Sequence, residues 1–220
     1  MDAIMYQNIL VQLGKQLNSF FIDVDLSLIE DKIEEAYERC MVAFSVSDSH
    51  YLNPNGIPQF SLYHSGCWAI FLYYLSNSLK GQIGDKIYYL NKILHSVDWY
   101  YEIVLPDHFM VEHPVGSVLG RATYGDYLLI YQGVTIGGNI SLENGNETYP
   151  ILGEKVILFS NAKVLGNANI GNNVIISANA CVINEDIPDY SIVFGTSPNL
   201  IIRHDVEKIE KCMRRTWKQD

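Results

Sequence analysis

Two different periods divide the chain. Up to about His95 the apolar positions recur at helical spacing. Ile29, Ile33, Ala36, Cys40 and Phe44 fall on one face, while Glu30, Asp31, Glu34, Glu35 and Glu38 fall mostly on others. Ser27 followed by Glu30 has capping-box spacing and predicts the start of that helix. The polar stretch SVSDSHYLNPNGIP, residues 45–58, interrupts the pattern with Asn, Gly and two prolines. An aromatic-rich apolar run, Phe60 to Leu79, predicts a second helix, and Asp85 to His95 a third, with Ile87, Leu90, Ile93 and Leu94 at helical spacing. Apolar stripes of this kind chiefly satisfy burial, so they read as core and oligomer packing.

Beyond His95 the period becomes six. Every sixth residue from Leu152 is aliphatic: Leu152, Leu158, Val164, Ile170, Ile176, Val182. The position four further along reads Val156, Ala162, Ala168, Val174, Ala180 and then Asp186, small or short-branched until the last. Neither a helix nor an alternating strand keeps two of every six positions so restricted. A six-residue repeat with one inward aliphatic suits a β-solenoid in which three units complete a coil and the aliphatics stack into a core column. The same phase runs upstream through Val97, Ile103, Phe109 and Val115, then slips by one before Ala122, Leu128 and Val134, which predicts a one-residue irregularity near Gly120 and Arg121. Between Gly138 and Pro150 the repeat gives way to NISLENGNETY, a polar stretch predicted to bulge out as an external loop. The fold class is therefore α+β: a helical unit over residues 1–95, a solenoid over 96–203 and a tail over 204–220. Within the tail Val206, Ile209 and Met213 share one side of a short amphipathic helix.

Composition narrows the partners. Of the 220 residues, 48% are hydrophobic, enough for a core, and 15 Lys plus Arg against 25 Asp plus Glu give a net charge of -10. That charge argues against nucleic acid or an anionic lipid surface as a main partner. Cys40, Cys67, Cys181 and Cys212 have no CxxC spacing and read as reduced thiols. No basic leader with an apolar run opens the sequence and no stretch approaches a membrane span, so a cytoplasmic location is expected.

The segments VDWYYEIVLPDHFMVEHPVG, GVTIGG, VLGNANIGNNVIISANACV and FGTSPNLII resemble the hexapeptide-repeat acyltransferases and, within them, the serine acetyltransferases, over residues 60 to 203. The resemblance implies a left-handed parallel β-helix, acetyl-CoA as donor without a metal, and homotrimers with active sites between subunits, often paired as dimers of trimers. A hydroxyl acceptor needs a base to remove its proton as it attacks the thioester. His113 matches the family's catalytic histidine, and Asp98, fifteen residues earlier, matches the carboxylate that orients it. Fifteen is three short of an eighteen-residue coil, which places the two one coil apart and around a corner. For acetyl-CoA the resemblance points to small residues that let an extended pantetheine arm lie close: Gly137, Gly138, Ser160 and Ala178, with Gly195 near the exit.

The acceptor positions depart from the family. Its aspartate before the catalytic histidine is Glu112 here, its Arg-His pair at the end of the loop is Thr148 and Tyr149, and its aspartate before the second helical run falls near Asn53. Losing the arginine removes a bidentate partner for a carboxylate, while Glu112 keeps a negative charge for an amino group. Two other readings follow. One is an O-acetyltransferase for a sugar or polysaccharide-precursor hydroxyl, with Tyr149 stacking on the ring. The other is a non-catalytic solenoid scaffold. A zinc-dependent solenoid enzyme would need three converging histidines, and only His108 and His113 fall in the coils. Nothing in TWKQD suggests the tail by which the family docks its partner enzyme in cysteine synthesis.

Overall fold

A computed structural model describes residues 1–140 and 145–218. Helix α1, Ala3–Phe20, is capped by the Asp2 carboxylate, which accepts from the Met5 N–H, and buries Ile9, Leu13 and Leu17. In α2, Glu30–Ser45, the predicted stripe Ile29, Ile33, Ala36, Cys40 and Phe44 is fully buried. The predicted capping box does not form. Ser27 lies in a separate 3-10 turn, Leu26–Leu28, capped by Asp25, and Ile29 takes the N-cap position of α2. The acidic residues Glu30 and Asp31 instead favour that terminus through the helix dipole.

Helix α3, Ser65–Asn77, is apolar all round, which suits a central helix, and every residue from Gly66 to Ser76 is buried. Its N-cap is His64, whose Nδ1 accepts from the Cys67 N–H at 3.2 Å. Helix α4, Gln82–His95, buries Ile87 and Leu90 but leaves Ile93 partly exposed. Two tyrosines of α3 fasten the chain that leads into the solenoid: Tyr73 donates to the Ile103 carbonyl at 2.7 Å and accepts from the Leu105 N–H, and Tyr74 donates to the Pro106 carbonyl.

The second half winds as three parallel walls. The first stacks Asp98–Trp99, Val118–Leu119, Thr135–Gly137, Lys163–Leu165 and Cys181–Ile183. The second stacks Phe109–Val111, Leu128–Ile130, Ile157–Leu158, Ile175–Ile176 and Ser191–Phe194. The third stacks Thr123–Tyr124, Ile151–Leu152 and Asn169–Ile170. The repeat sets the register: Val164 pairs with Val182, Leu158 with Ile176 and Leu152 with Ile170, all in parallel and all buried. The short positions Val156, Ala162, Ala168, Val174 and Ala180 are buried at the bends between walls. Asp186 breaks the series because the last coil is one residue shorter. Ile170 bridges Ile187, so Ile187 is buried and Asp186 is exposed.

The upstream irregularity has two parts. Eight residues separate Val111 from Leu119 where six separate Ile130 from Ile136, and five separate Leu119 from Tyr124 where six separate Val164 from Ile170. The corner at Gly120–Arg121 is thus one residue short, and the corner before it is two residues long. The net slip of one is the predicted one, but Val115 falls in the enlarged corner and faces solvent. At the base of the external loop Asn139–Ile140 pairs antiparallel with Glu147–Thr148, and residues 141–144 of that loop lie outside the described residues.

After the last coil, Ile201–His204 turns back antiparallel on Ser191–Phe194 and leads into α5, Val206–Thr216. Ile209 and Met213 of α5 are buried on the second wall, as the amphipathic pattern predicts, while Val206 is partly exposed. Lys218 then donates to the Asn53 side-chain carbonyl and the Gly56 carbonyl, tying the end of α5 to the segment between α2 and α3.

Candidate active site

The enlarged corner carries Glu112 and His113. Its two ends are pinned: the Glu112 N–H donates to the Ile130 carbonyl at 2.9 Å and the Gly116 N–H to the Ser96 carbonyl at 2.8 Å. Buried Ser117 donates to the Pro114 carbonyl and accepts from the Trp99 indole N–H at 2.8 Å. Between these anchors His113 takes a left-handed backbone conformation, φ +50°, and is exposed to solvent. Gln132, Ser160 and Ala178 stand at the same corner in the following coils, and the Asn179 N–H donates to the Ser160 carbonyl there.

Asp98 opens the first wall at the same end of the solenoid, paired with Val118 just past the His113 corner. Its carboxylate accepts a short hydrogen bond from the Tyr88 hydroxyl and pairs with the Lys92 ammonium at 2.8 Å, both from α4. Burial raises the Asp98 carboxyl, but the hydrogen bonds from Lys92 and Tyr88 outweigh it and leave the group below its ordinary value. Two carboxylate oxygens offer about four acceptor directions, so these two donors leave capacity for an imidazole N–H. Among the described residues the one imidazole within 4 Å of a carboxylate is that of His108, whose Nδ1 lies 2.6 Å from Asp126 Oδ2. The His108 N–H also bonds Asp126, and its ring stacks on Tyr127. That pair staples two successive coils.

Gly137, Gly138, Thr148 and Tyr149 gather at the next corner, across the first wall from His113. A Cβ on Gly138 would come within 2.7 Å of the Tyr149 ring, so a glycine is needed for the ring to lie there. Tyr149 bonds Glu147, and the Arg121 guanidinium reaches its hydroxyl at 3.4 Å and its ring at 5.9 Å. Roughly five residues of strand, about 15 Å, separate this cluster from the His113 corner within one chain. The structure therefore groups His113 with Ser160 and Ala178, and Gly137 and Gly138 with Thr148 and Tyr149, as two sets.

A cavity of about 280 Å³ opens beside Glu112. Ser47, Ser49, His50 and Tyr51 come from the segment after α2, Met110, Glu112, Leu129 and Tyr131 from the second wall, and Arg215 and Thr216 from the end of α5. Burial raises the Tyr131 hydroxyl, and Glu112 and Cys212 add to the effect, so the wall and α5 converge on that ring. Asn53 does not line the cavity. It is buried, donating to the Phe44 and Ser47 carbonyls and accepting from Lys218, and so holds the segment that does. Sequence reasoning missed His50, Tyr51, Tyr131 and Arg215, because three distant segments build this cavity and no local period marks them. Among the described residues no group of three His, Cys, Asp or Glu stands ready to hold a metal, and no helix is long and apolar enough to cross a membrane.

Comparison with known proteins agrees with this architecture. No protein-family model matches the chain. A serine acetyltransferase of Staphylococcus aureus is 31% identical over 153 residues, covering 67% of this chain and 70% of the relative. Among solved structures, the serine acetyltransferase of Neisseria gonorrhoeae superposes with a TM-score of 0.69 at 21% identity, over 89% of this chain and 80% of that one. A serine acetyltransferase solved in complex with CoA superposes with a TM-score of 0.62 at 21% identity, over 81% of this chain and 75% of that one. The shared fold is a helical region followed by a left-handed parallel β-helix.

Proposed function

Because the chain belongs to the serine acetyltransferase family, we propose that it transfers the acetyl group of acetyl-CoA to the hydroxyl of L-serine, with His113 as general base. The observation that carries this reading is the enlarged, pinned corner that holds the exposed His113 ring one residue from the Glu112 cavity. As the serine oxygen bonds to the thioester carbonyl carbon, His113 takes the hydroxyl proton. The tetrahedral intermediate then collapses with loss of the sulfur, which recovers that proton from the imidazolium. No acetyl group need pass through the enzyme. Asp98, kept ionised by Lys92 and Tyr88, would orient the imidazole and stabilise its charged form.

Gly137, Gly138, Ser160 and Ala178 are the residues proposed to flank the pantetheine arm, where small side chains leave room for an extended chain. Their division between two corners supports a homotrimer in which one subunit presents His113 and its neighbour presents the Thr148–Tyr149 corner. Pairing of trimers through the helices remains part of the same proposal.

The test is thiol release from acetyl-CoA across a panel of acceptors. Serine-dependent release by the wild type, and its loss by at least about a hundredfold in His113→Ala with an unchanged circular dichroism spectrum, is the expected result. Near-normal turnover by that variant would overturn the base assignment. Release with a sugar alcohol but not with serine would overturn the acceptor.

A further inference from the structure

Glu112 and Arg215 carry opposite charges into one cavity, yet neither makes an ion pair among the described residues, whereas the neighbouring Arg214 is paired with Glu210. Two such groups that share a cavity without neutralising each other suit a ligand that bears both charges itself. We propose that Arg215 is the carboxylate-binding residue of the acceptor pocket and that with Glu112 it makes the pocket selective for a zwitterion.

This rests on the reading of serine as acceptor and deepens it, because the loop position where the family carries its arginine is Thr148 here. The cavity supplies complementary chemistry: Glu112 for the ammonium, Arg215 for the carboxylate, and Ser47, Ser49 and Thr216 as hydroxyl neighbours. Its volume, about 280 Å³, suits a small molecule rather than a polymer. Arg215 also projects from a helix that is firmly seated. Ile209 and Met213 are buried on the second wall, Trp217 is buried two residues beyond Arg215, and Lys218 is bonded to Asn53. A guanidinium on so fixed a scaffold loses less freedom on binding than one on a loose tail. The other guanidinium near the proposed active-site corners, Arg121, is engaged with Tyr149 at a different corner.

The experiment measures steady-state kinetics with L-serine and with L-serinamide, which keeps the ammonium and hydroxyl but lacks the carboxylate. In Arg215→Ala the KM for serine should rise at least about tenfold. The KM for acetyl-CoA should stay within twofold, and the preference for serine over serinamide should largely vanish. Arg215→Lys should restore part of that preference, because the charge returns without the planar fork. Arg214→Ala, outside the cavity, should behave as wild type. If Arg215→Ala retains the wild-type serine KM and discrimination, or if Arg121→Ala abolishes them instead, the assignment of Arg215 is wrong while serine acetylation stands. If the wild type does not use serine, the acceptor reading itself fails and this assignment with it.

Discussion

At the scale of single residues, close backbone approach and burial decide most. Gly125 faces Gly153, and Gly153 in turn faces Gly171 one coil on, because backbone of successive coils meets there without room for side chains. A Cβ on Gly125 would stand 2.2 Å from the Gly153 carbonyl oxygen. Gly125→Ala should therefore destabilise by about 1–3 kcal/mol, read by chemical denaturation at fixed protein concentration. His95 gives a pH signature. Burial lowers its imidazole from 6.5 to about 4, against a smaller opposing effect from Asn91. Above pH 6.5 it is neutral in both folded and unfolded chains. As pH falls from 6.5 towards 4 the unfolded chain takes up a proton that the folded one refuses, so stability falls by at most ~1.4 kcal/mol per pH unit. The urea midpoint should drop over that window, and His95→Gln should flatten the drop.

At the scale of elements, the solenoid is held by its inward columns and the helices by one shared core. Ile176 sits between Leu158 and Val193 in the second wall and is fully buried. Truncating it to Ala removes apolar contact in a column whose neighbours are fixed by backbone pairing, so the cavity cannot close easily. A loss of about 2–5 kcal/mol is expected in equilibrium unfolding. A loss well under 1 kcal/mol would mean that the coil relaxes into the gap. Helix α5 joins α3 and α4 in linking the two halves: it packs on the second wall, and Lys218 just beyond it reaches Asn53.

At the scale of the whole molecule, the proposed division of the site between two corners predicts a catalytic unit larger than one chain. Sedimentation should show at least a trimer. A mixture of His113→Ala and Tyr149→Ala subunits, co-assembled, should exceed the activity of either variant alone. About a quarter of the sites in randomly mixed trimers would combine an intact His113 corner with an intact loop corner. Activity equal to the average of the two variants would place the whole site within one chain.

Much of this was legible before any coordinates. A six-residue period can be satisfied only by a chain that returns to the same inward position at each wall, so Leu158, Val164 and Ile170 specified the solenoid, its register and its core. The α2 stripe did the same for its helix, since burial of one face follows directly from spacing. Family motifs pointed to His113 and Asp98 as candidates. Three-dimensional packing alone decided the rest. It divided the slip near Gly120 into a short corner and a long one, because spacing records only the net change, and it turned Asp98 towards Lys92 and Tyr88, whose approach depends on where α4 ends. It also brought Arg215 beside Glu112, two residues 103 positions apart whose juxtaposition depends on a helix laid across a wall, which no local pattern of side chains encodes.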